Sequence, residues 1–307
     1  MRVAVVGAGG VGGYFGGRLA QAGHDVTFVA RGEHLAAIQR DGLRVESVRG
    51  DFHVTDARAT DEPSEVGEVD LVVVAVKTWQ LAAALPLLVP LVGDGTAVLT
   101  TQNGVEAPEQ VAASVGQGAV LPGAVKIFAM VTAPGVVSHI GGPATIAFGE
   151  WDDRASERVS RVLQAFAGAG VDATVSDDIW VELWTKLLLV VPLGGLGSAL
   201  DAPVGRLRSA HRDLLTDAMT EIESLARACG IALPDGTVTR ALELIDQQPE
   251  GATSSLQRDV LAGRPSELDA WTGAVVRLAA DADVPVPVHR TLMAVLTTRH
   301  PTALTGT

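Results

Sequence analysis

The first half of the chain alternates short apolar runs with segments of helical periodicity. The clearest runs, which predict buried parallel strands, fall at 2–6, 24–30, 70–76 and 97–101. Residues 45–54 alternate loosely and end in charged, loop-like residues. Further strands are predicted at 120–125, 136–140 and 145–148, and helices at 80–91 and 154–168. This alternation is typical of an α/β fold with a doubly wound parallel sheet.

The pattern changes after Val175, where strand signals end and helical periodicity continues alone. Helices are predicted at 179–191, 209–229, 234–247, 256–261, 267–282 and 288–299, and Pro192 is expected to kink or end the first of them. A length of 307 residues suits two domains. We therefore expect an N-terminal sheet domain at 1–175 and an all-helical C-terminal domain at 176–307.

The junction between the first strand and the first helix carries the pattern G-x-G-x-x-G, made by Gly7, Ala8, Gly9, Gly10, Val11 and Gly12. The first glycine permits a tight turn, the second lets backbone approach a pyrophosphate, and the third lets helix pack on strand. Helix N-terminal N–H groups then face the anion. The context predicts a dinucleotide site of the Rossmann type; the plainer alternative is a tight turn without a ligand.

The end of the second strand bears on which dinucleotide is bound. An acidic residue about 20 positions beyond the glycines usually binds the ribose 2′-hydroxyl of NAD, whereas Arg accommodates the 2′-phosphate of NADP. Arg31 lies 19 residues after Gly12, and Glu33 is close by. The sequence therefore favours NADP(H), with NAD and a plain surface arginine as alternatives.

Two further polar residues directly follow predicted parallel strands. Lys77 follows the strand at 70–76, and Asn103 comes just after the strand at 97–101. Ligands of open parallel sheets bind beyond the carboxyl ends of the strands. Both residues are therefore predicted at the same edge as the glycine turn and Arg31.

Charge and cysteine content narrow the function classes. The formal net charge of −13 argues against a nucleic-acid or anionic-membrane partner, since both need clustered positive charge. Cys229 is the only cysteine, and in its helical pattern it is expected to be a small core residue. The longest apolar stretch, 187–200, contains Pro192 and several glycines and is expected to be too short and broken to cross a bilayer. We expect a cytoplasmic protein.

Lysine is rare in this chain. The 23 basic residues include three lysines, Lys77, Lys126 and Lys186. A partly buried Lys can release a proton at an accessible pKa, whereas Arg cannot. Lys186 is therefore of interest as an acid, although a helix lysine reaching solvent beside Glu182 is the plainer reading.

The chain resembles the ketopantoate reductase (2-dehydropantoate 2-reductase) family over essentially its whole length. The likeness rests on the order and spacing of several blocks: the glycine pattern, 76–80 (VKTWQ), 102–104 (QNG), 182–187 (ELWTKL), 203–208 (PVGRLR), 254–259 (SSLQRD) and 263–269 (GRPSELD).

The resemblance implies NADPH bound between a Rossmann domain and a helical domain, and a small 2-oxo acid reduced by hydride transfer in pantothenate biosynthesis. Carried over by motif, Lys186 is the general acid, and Glu267 lies near it, the cofactor or the substrate. Ser255 binds the substrate carboxylate, and Asn103 contacts both cofactor and substrate. Lys77 meets the cofactor, and Ala129 aligns with a cofactor-contacting backbone position.

The chain departs from the family at four positions that usually carry Asn. They are occupied by Val190, Gly194, Val204 and Thr272. Those amides help to hold a substrate that bears its own hydroxyl, and an unpaired buried polar group costs roughly 1–3 kcal/mol. The expected substrate is therefore a more apolar 2-oxo acid or another carbonyl compound.

Two other function classes stay open. One is a related 3-hydroxy acid, opine or imine dehydrogenase, and the other is a catalytically inactive NADP(H)-binding sensor. The seven histidines, His34 among them, show no metal-ligand spacing and are expected to be structural or exposed. The C-terminal helices are compatible with a homodimer face, but no sequence feature requires one.

Overall fold

A computed structural model describes residues 1–304 of the protein, which divides into two compact units. One unit comprises Met1–Gln102 and Ala107–Ile179, and the other comprises Asn103–Glu106 and the chain from Trp180 onward. The division after Ile179 falls four residues beyond the expected boundary. The short segment Asn103–Glu106 belongs to the helical unit, which the sequence pattern did not predict.

Among residues 1–304, the strands all lie in the first unit: β1 (Arg2–Val6), β2 (Asp25–Val29), β3 (Leu43–Ser47), β4 (Phe52–Val54), β5 (Arg58–Thr60), β6 (Leu71–Val74), β7 (Ala97–Thr100), β8 (Val120–Leu121), β9 (Gly123–Ala133), β10 (Val136–Phe148) and β11 (Asp172–Val175). Its helices are α1 (Gly10–Gln21), α2 (Gly32–Asp41), α3 (Leu81–Leu88), α4 (Ala107–Val115) and α5 (Glu157–Gly168), with 3-10 turns at Pro63–Glu65, Thr78–Gln80, Val89–Leu91 and Gln117–Ala119.

The main sheet confirms the Rossmann-type prediction. Six strands run parallel in the order β5-β2-β1-β6-β7-β8, so the order reverses beside β1. Alternate residues of β1 enter two different cores: Val3 and Val5 pack on one face of the sheet, and Ala4 and Val6 on the other. Because both faces are covered, the strand has no polar side, as its apolar run predicted.

A second, mixed sheet was not predicted. It has the order β11-β10-β3-β4, and β9 pairs antiparallel with β10. The two predicted strands at 136–140 and 145–148 are one strand, β10. Residues 141–143 (GGP) resemble a turn in the sequence, but the strand continues past them. Gly141 pairs with Phe128, and pairing resumes between Thr145 and Lys126 after a register shift of the kind that β-bulges make.

The second unit is helical, as predicted. It contains α6 (Ile179–Leu200, whose first residue belongs to the first unit), α7 (Val204–Ser209), α8 (Arg212–Ala228), α9 (Thr237–Asp246), α10 (Ser255–Leu261), α11 (Ala274–Asp281) and α12 (Pro287–Arg299), with a π-helix at Asp269–Gly273 and a 3-10 turn at Pro301–Leu304.

The expected end of α6 at Pro192 is wrong, because the helix continues to Leu200. Proline removes one backbone hydrogen bond, but the glycines beyond it allow close packing: a Cβ at Gly194 would lie 2.8 Å from Leu256, and one at Gly195 3.0 Å from Leu292. Within residues 1–304, α6 is the one helix whose length and composition would suit a membrane span, and 61% of its apolar window is buried inside the protein. A core helix has the same properties.

Candidate functional site

The glycine turn has the geometry that its sequence predicts. Gly7 has φ of +102°, and a Cβ there would lie 2.7 Å from the backbone nitrogen of Val76. A Cβ at Gly12 would meet the carbonyl oxygen of Gly7 and lie 2.8 Å from the Val5 side chain. Both positions therefore need glycine for the turn itself, whatever the ligand.

Gly9 is different, because a Cβ there would meet nothing within 4 Å. It precedes the 12-residue helix α1 and gives the helix no side-chain cap. The open face at Gly9 and the N–H groups of the first turn of α1 fit a diphosphate group. The residues present therefore suit a dinucleotide cofactor.

Arg31 and Lys77 lie at the predicted edge of the sheet. The Gly7 N–H donates to the carbonyl of Val29 at 3.0 Å, and Arg31 follows two residues beyond Val29. Lys77 comes directly after Val76, the residue packed on Gly7. Both side chains are exposed.

Ala129 also lies beside the glycine turn. It is a half-buried residue of β9, and a Cβ at Gly10 would meet its carbonyl oxygen and would lie 2.8 Å from the backbone nitrogen of Met130. Gly10 therefore has no space for a side chain. The first unit brings together Gly10 and Ala129, which are 119 residues apart.

A contact beside the glycine turn that the sequence did not reveal is made by His34 of α2. Its Nδ1 accepts a hydrogen bond from the backbone N–H of Gly135 at 3.1 Å, and its Nε2 lies 2.8 Å from the carbonyl oxygen of Ala8. Lone histidines without metal-ligand spacing carry no sequence signal for such a contact. The one available signal is the position of His34, three residues after Arg31.

In the helical unit, Lys186 is half-buried on α6. Val190 and Gly194 follow it one and two turns further along the helix. The place of a side chain at Gly194 is already filled, since a Cβ would lie 2.8 Å from Leu256 and 3.0 Å from the ring of Trp271. An amide side chain at Gly194 would therefore require its neighbours to move.

Asn103 and Glu267 are joined directly. The Nδ2 of Asn103 donates to Oε2 of Glu267 at 3.1 Å, and Glu267 is only 5% exposed. The next residue, Gly104, has φ of +100°, and a Cβ there would lie 2.9 Å from the carbonyl oxygen of Ala270. The segment therefore packs against the start of the π-helix, an element often found at functional sites.

Arg277 of α11 holds the other end of this segment. It pairs with both carboxylate oxygens of Glu106, at 2.8 and 3.3 Å, and with Asp269 at 2.8 Å. The two carboxylates raise the pKa of the Arg277 guanidinium above its ordinary value, with the hydrogen bond to Glu106 as the largest cause. The Asn103–Glu106 segment is thus fixed to the helical unit at three points.

The remaining predicted site residue of the helical unit is Ser255, and two of the positions where the family carries Asn also lie there. Ser255 is half-buried at the start of α10, next to the Leu256 that packs on Gly194. Val204 is 5% exposed and Thr272 is fully buried. The helical unit contains Asn103, Lys186, Ser255 and Glu267, while the first unit contains the glycine turn, Arg31, Lys77 and Ala129.

Cys229 corrects one expectation. It is exposed at the end of α8 rather than part of the core. Its helical pattern continues the apolar periodicity, but α8 ends one residue earlier.

Among residues 1–304, no group of three His, Cys, Asp or Glu is arranged to hold a metal ion.

Comparisons with known proteins cover almost the whole chain. The family model described as ketopantoate reductase PanE/ApbA matches residues 3–153, and its C-terminal companion matches 178–300. The chain is 34% identical to a 2-dehydropantoate 2-reductase of Mesorhizobium japonicum, over 96% of this chain and 97% of that protein. It is 35% identical to one of Halobacterium salinarum, with 95% and 96% covered.

A solved structure agrees with these relatives. The crystal structure of a 2-dehydropantoate 2-reductase from Geobacter metallireducens is similar with a TM-score of 0.90 and 33% identity, covering 97% of this chain and 100% of that one. The chain therefore belongs to the ketopantoate reductase family, and it is an oxidoreductase of the CH–OH group that uses a nicotinamide cofactor and a small 2-oxo acid.

Proposed function

We propose that the protein reduces a 2-oxo acid to the 2-hydroxy acid with NADPH, and that Lys186 is the general acid. The observation that carries this proposal is the hydrogen bond between Asn103 and Glu267. These residues are 164 positions apart, and the family resemblance assigns both to the site. Their contact within the helical unit supports carrying the other assignments over, Lys186 included.

The chemistry explains why these residue types are required. The bound nicotinamide supplies a hydride to the carbonyl carbon of the substrate. Lys186 stabilises the negative charge that develops on the carbonyl oxygen and then donates a proton to it. Glu267 accepts from Asn103 and thereby orients the amide, whose remaining N–H and carbonyl oxygen can serve cofactor and substrate. Ser255 would donate to the substrate carboxylate.

A lysine series tests this role. We expect Lys186→Ala to lower kcat about 10²- to 10⁴-fold, the usual contribution of a general acid, with little change in the Kd for NADPH. Lys186→Arg retains the charge but not the transferable proton, so it too is expected to be slow. Thr185→Ala, at the exposed neighbouring position of α6, is the control.

The same assay distinguishes the alternatives. Unchanged turnover by Lys186→Ala would contradict the proposed acid. A wild-type protein that binds NADPH and reduces no carbonyl compound would be an inactive sensor, and turnover of 3-hydroxy acids, opines or imines would indicate the related dehydrogenases.

NADPH is the proposed cofactor because of Arg31, which is exposed at the carboxyl end of β2. Its guanidinium can pair with a 2′-phosphate bidentately. We expect Arg31→Ala to weaken the binding of NADPH more than the binding of NADH. Equal losses for both would contradict the NADP preference.

The proposed substrate has an apolar side chain. Beyond Lys186 the helix presents Val190, and Leu256 and Trp271 fill the place of a side chain at Gly194. Neither the side chain of Val190 nor Gly194 can donate a hydrogen bond to a substrate hydroxyl. A hydroxyl buried against this face would be left unpaired, at a cost of roughly 1–3 kcal/mol.

A matched pair of substrates tests this preference. Ketopantoate and 3,3-dimethyl-2-oxobutanoate differ only by the terminal hydroxyl. We expect the deoxy compound to have a kcat/KM at least equal to that of ketopantoate. A site built to bind the hydroxyl would instead prefer ketopantoate strongly, because its polar groups would be left unpaired by the deoxy compound, and that result would refute the apolar pocket.

We also infer that the protein acts in the cytoplasm on a small molecule. The net charge of −13 and the single cysteine support this inference.

A further inference from the structure

We propose that His34 is a positioning residue that fixes Arg31 relative to the glycine turn and thereby sets the preference for NADPH over NADH. The inference rests on the proposed use of NADP(H). It concerns a histidine that neither the sequence motifs nor the family resemblance assign to the site.

The hydrogen-bond partners of His34 define its protonation state. A backbone N–H can only donate, so the bond from Gly135 requires an unprotonated Nδ1. The Ala8 carbonyl can only accept, so Nε2 must carry the proton. The ring is therefore the neutral Nε2–H tautomer, and its two partners use both of its nitrogens.

These two bonds fix the first turn of α2 in place. His34 connects it to Ala8 within the glycine turn on one side and to Gly135 in the β9–β10 turn on the other. Gly135 also packs on α2 one turn later, where a Cβ would lie 3.1 Å from Ala37. Helix α2 thus lies against both turns, and His34 is the side chain that bonds to each.

Arg31 is the residue on which this placement acts. It immediately precedes α2, with an extended backbone at φ −139°, and lies one helical turn from His34. The glycine turn suits the diphosphate, and Arg31 suits the 2′-phosphate. The His34–Ala8 bond connects the two elements that carry these groups. NADH has no 2′-phosphate and needs only the glycine turn. Loosening α2 is therefore expected to weaken the binding of NADPH more than that of NADH.

The experiment measures Kd for NADPH and for NADH by fluorescence titration of the full-length protein. We expect His34→Ala to lower the ratio of NADPH to NADH affinity about two- to tenfold, the range of one lost hydrogen bond. His34→Gln retains a donor at the Nε2 position and is expected to restore much of the ratio. His34→Asn retains an acceptor at the Nδ1 position only and is expected to resemble His34→Ala.

Two control variants separate this inference from the proposed function. In Gln39→Ala, α2 loses the 2.9 Å bond from Gln39 to the Ala59 carbonyl, which lies in β5 rather than in the glycine turn, so the ratio is expected to stay the same. Arg31→Ala must lower the ratio if NADPH is preferred through Arg31. If Arg31→Ala lowers it and His34→Ala does not, the inference is wrong; if Arg31→Ala leaves it unchanged, the NADP assignment fails and the inference fails with it.

A second measurement does not depend on folding of the variants. In ¹⁵N–¹H spectra of the wild-type protein without cofactor, the His34 ring is expected to show a protonated Nε2 and an unprotonated Nδ1. The opposite tautomer would exclude the bond to Ala8 and overturn the inference. Equal losses of NADPH and NADH affinity in His34→Ala would likewise reduce the residue to a structural role.

Discussion

Gly9 and Gly12 lie three residues apart in one turn, yet a methyl group would have opposite effects at the two positions. At Gly12 it would meet the Gly7 carbonyl oxygen and lie within 3 Å of Val5 and Ala75. At Gly9 it would meet no atom of the protein. Gly12 therefore serves the packing of α1, and Gly9 leaves space for a ligand.

This contrast gives a prediction for two alanine variants. Gly12→Ala is expected to lower the free energy of unfolding by about 1–3 kcal/mol, as overpacking does. Gly9→Ala is expected to leave the free energy of unfolding within roughly 0.5 kcal/mol of wild type. It is expected to raise the Kd for NADPH about tenfold or more, or ~1.4 kcal/mol. Urea unfolding of both variants checks the expected stabilities, and cofactor titration checks the expected affinities.

The opposite assignment would appear as a loss of stability in Gly9→Ala or as unchanged NADPH affinity there. Either result would mean that the open face at Gly9 is not where the diphosphate binds.

At the scale of elements, the segment Asn103–Glu106 shows how a loop is made rigid. It follows the main sheet along the chain but belongs to the helical unit, where Glu267, Ala270 and Arg277 hold it. Surface ion pairs usually contribute at most about 1 kcal/mol to stability. The value of the Arg277 pair therefore lies in the placement of Asn103 rather than in the stability of the fold.

We accordingly expect Arg277→Met to lower kcat/KM about 10- to 100-fold, since small misplacements of a positioning group cost that much, with little change in thermal stability. The control is Arg212→Met, which removes a similar two-point pair to Asp246, at 2.7 and 2.9 Å, between α8 and α9. Steady-state kinetics and melting curves of both variants test this. Equal activity losses would indicate a general effect of removing an ion pair.

Helix α6 shows what local sequence rules cannot provide at this scale. Proline inside a helix predicts an end, because the rule considers only the backbone bond that is lost. The packing of Leu256 and Leu292 on the glycines beyond Pro192 comes from residues about 60 and 100 positions away. Tertiary burial of this kind is absent from any short window of sequence.

Across the whole molecule, the sequence predicts best what periodicity and chain order determine. The parallel sheet, the glycine turn and the helical second unit all follow from local patterns. The mixed sheet around β10 did not, because its bulged residues 141–143 resemble a turn. The strand ends alone predicted the positions of Arg31 and Lys77, at the edge of the sheet where the glycine turn lies. The contacts of His34 and Arg277 join distant segments, and no spacing rule encodes them.

A buried pair in the helical unit, Glu221 and His289, leads to a prediction about how the stability of the molecule depends on pH. Glu221 of α8 accepts hydrogen bonds from the backbone N–H groups of Val288 and His289, at 2.7 and 3.1 Å, and from Nδ1 of His289 at 2.6 Å. Burial raises the pKa of Glu221, but these bonds outweigh it, so the net pKa is lowered. The ionised carboxylate thus holds the start of α12 against α8.

The lowered pKa fixes the sign of the pH dependence. A carboxyl group whose pKa is lower in the folded than in the unfolded state stabilises the fold above its unfolded pKa of about 4.3. That contribution is lost as the pH falls through the lowered value. We expect Glu221→Gln to reduce the free energy of unfolding by about 1–3 kcal/mol at pH 7, with the difference from wild type shrinking below about pH 4.3. Urea unfolding from pH 7 to pH 3 measures this difference in the free energy of unfolding. Glu243→Gln, at an exposed position, is the control. A difference that stays constant with pH would show that α12 does not require the ionised form of Glu221.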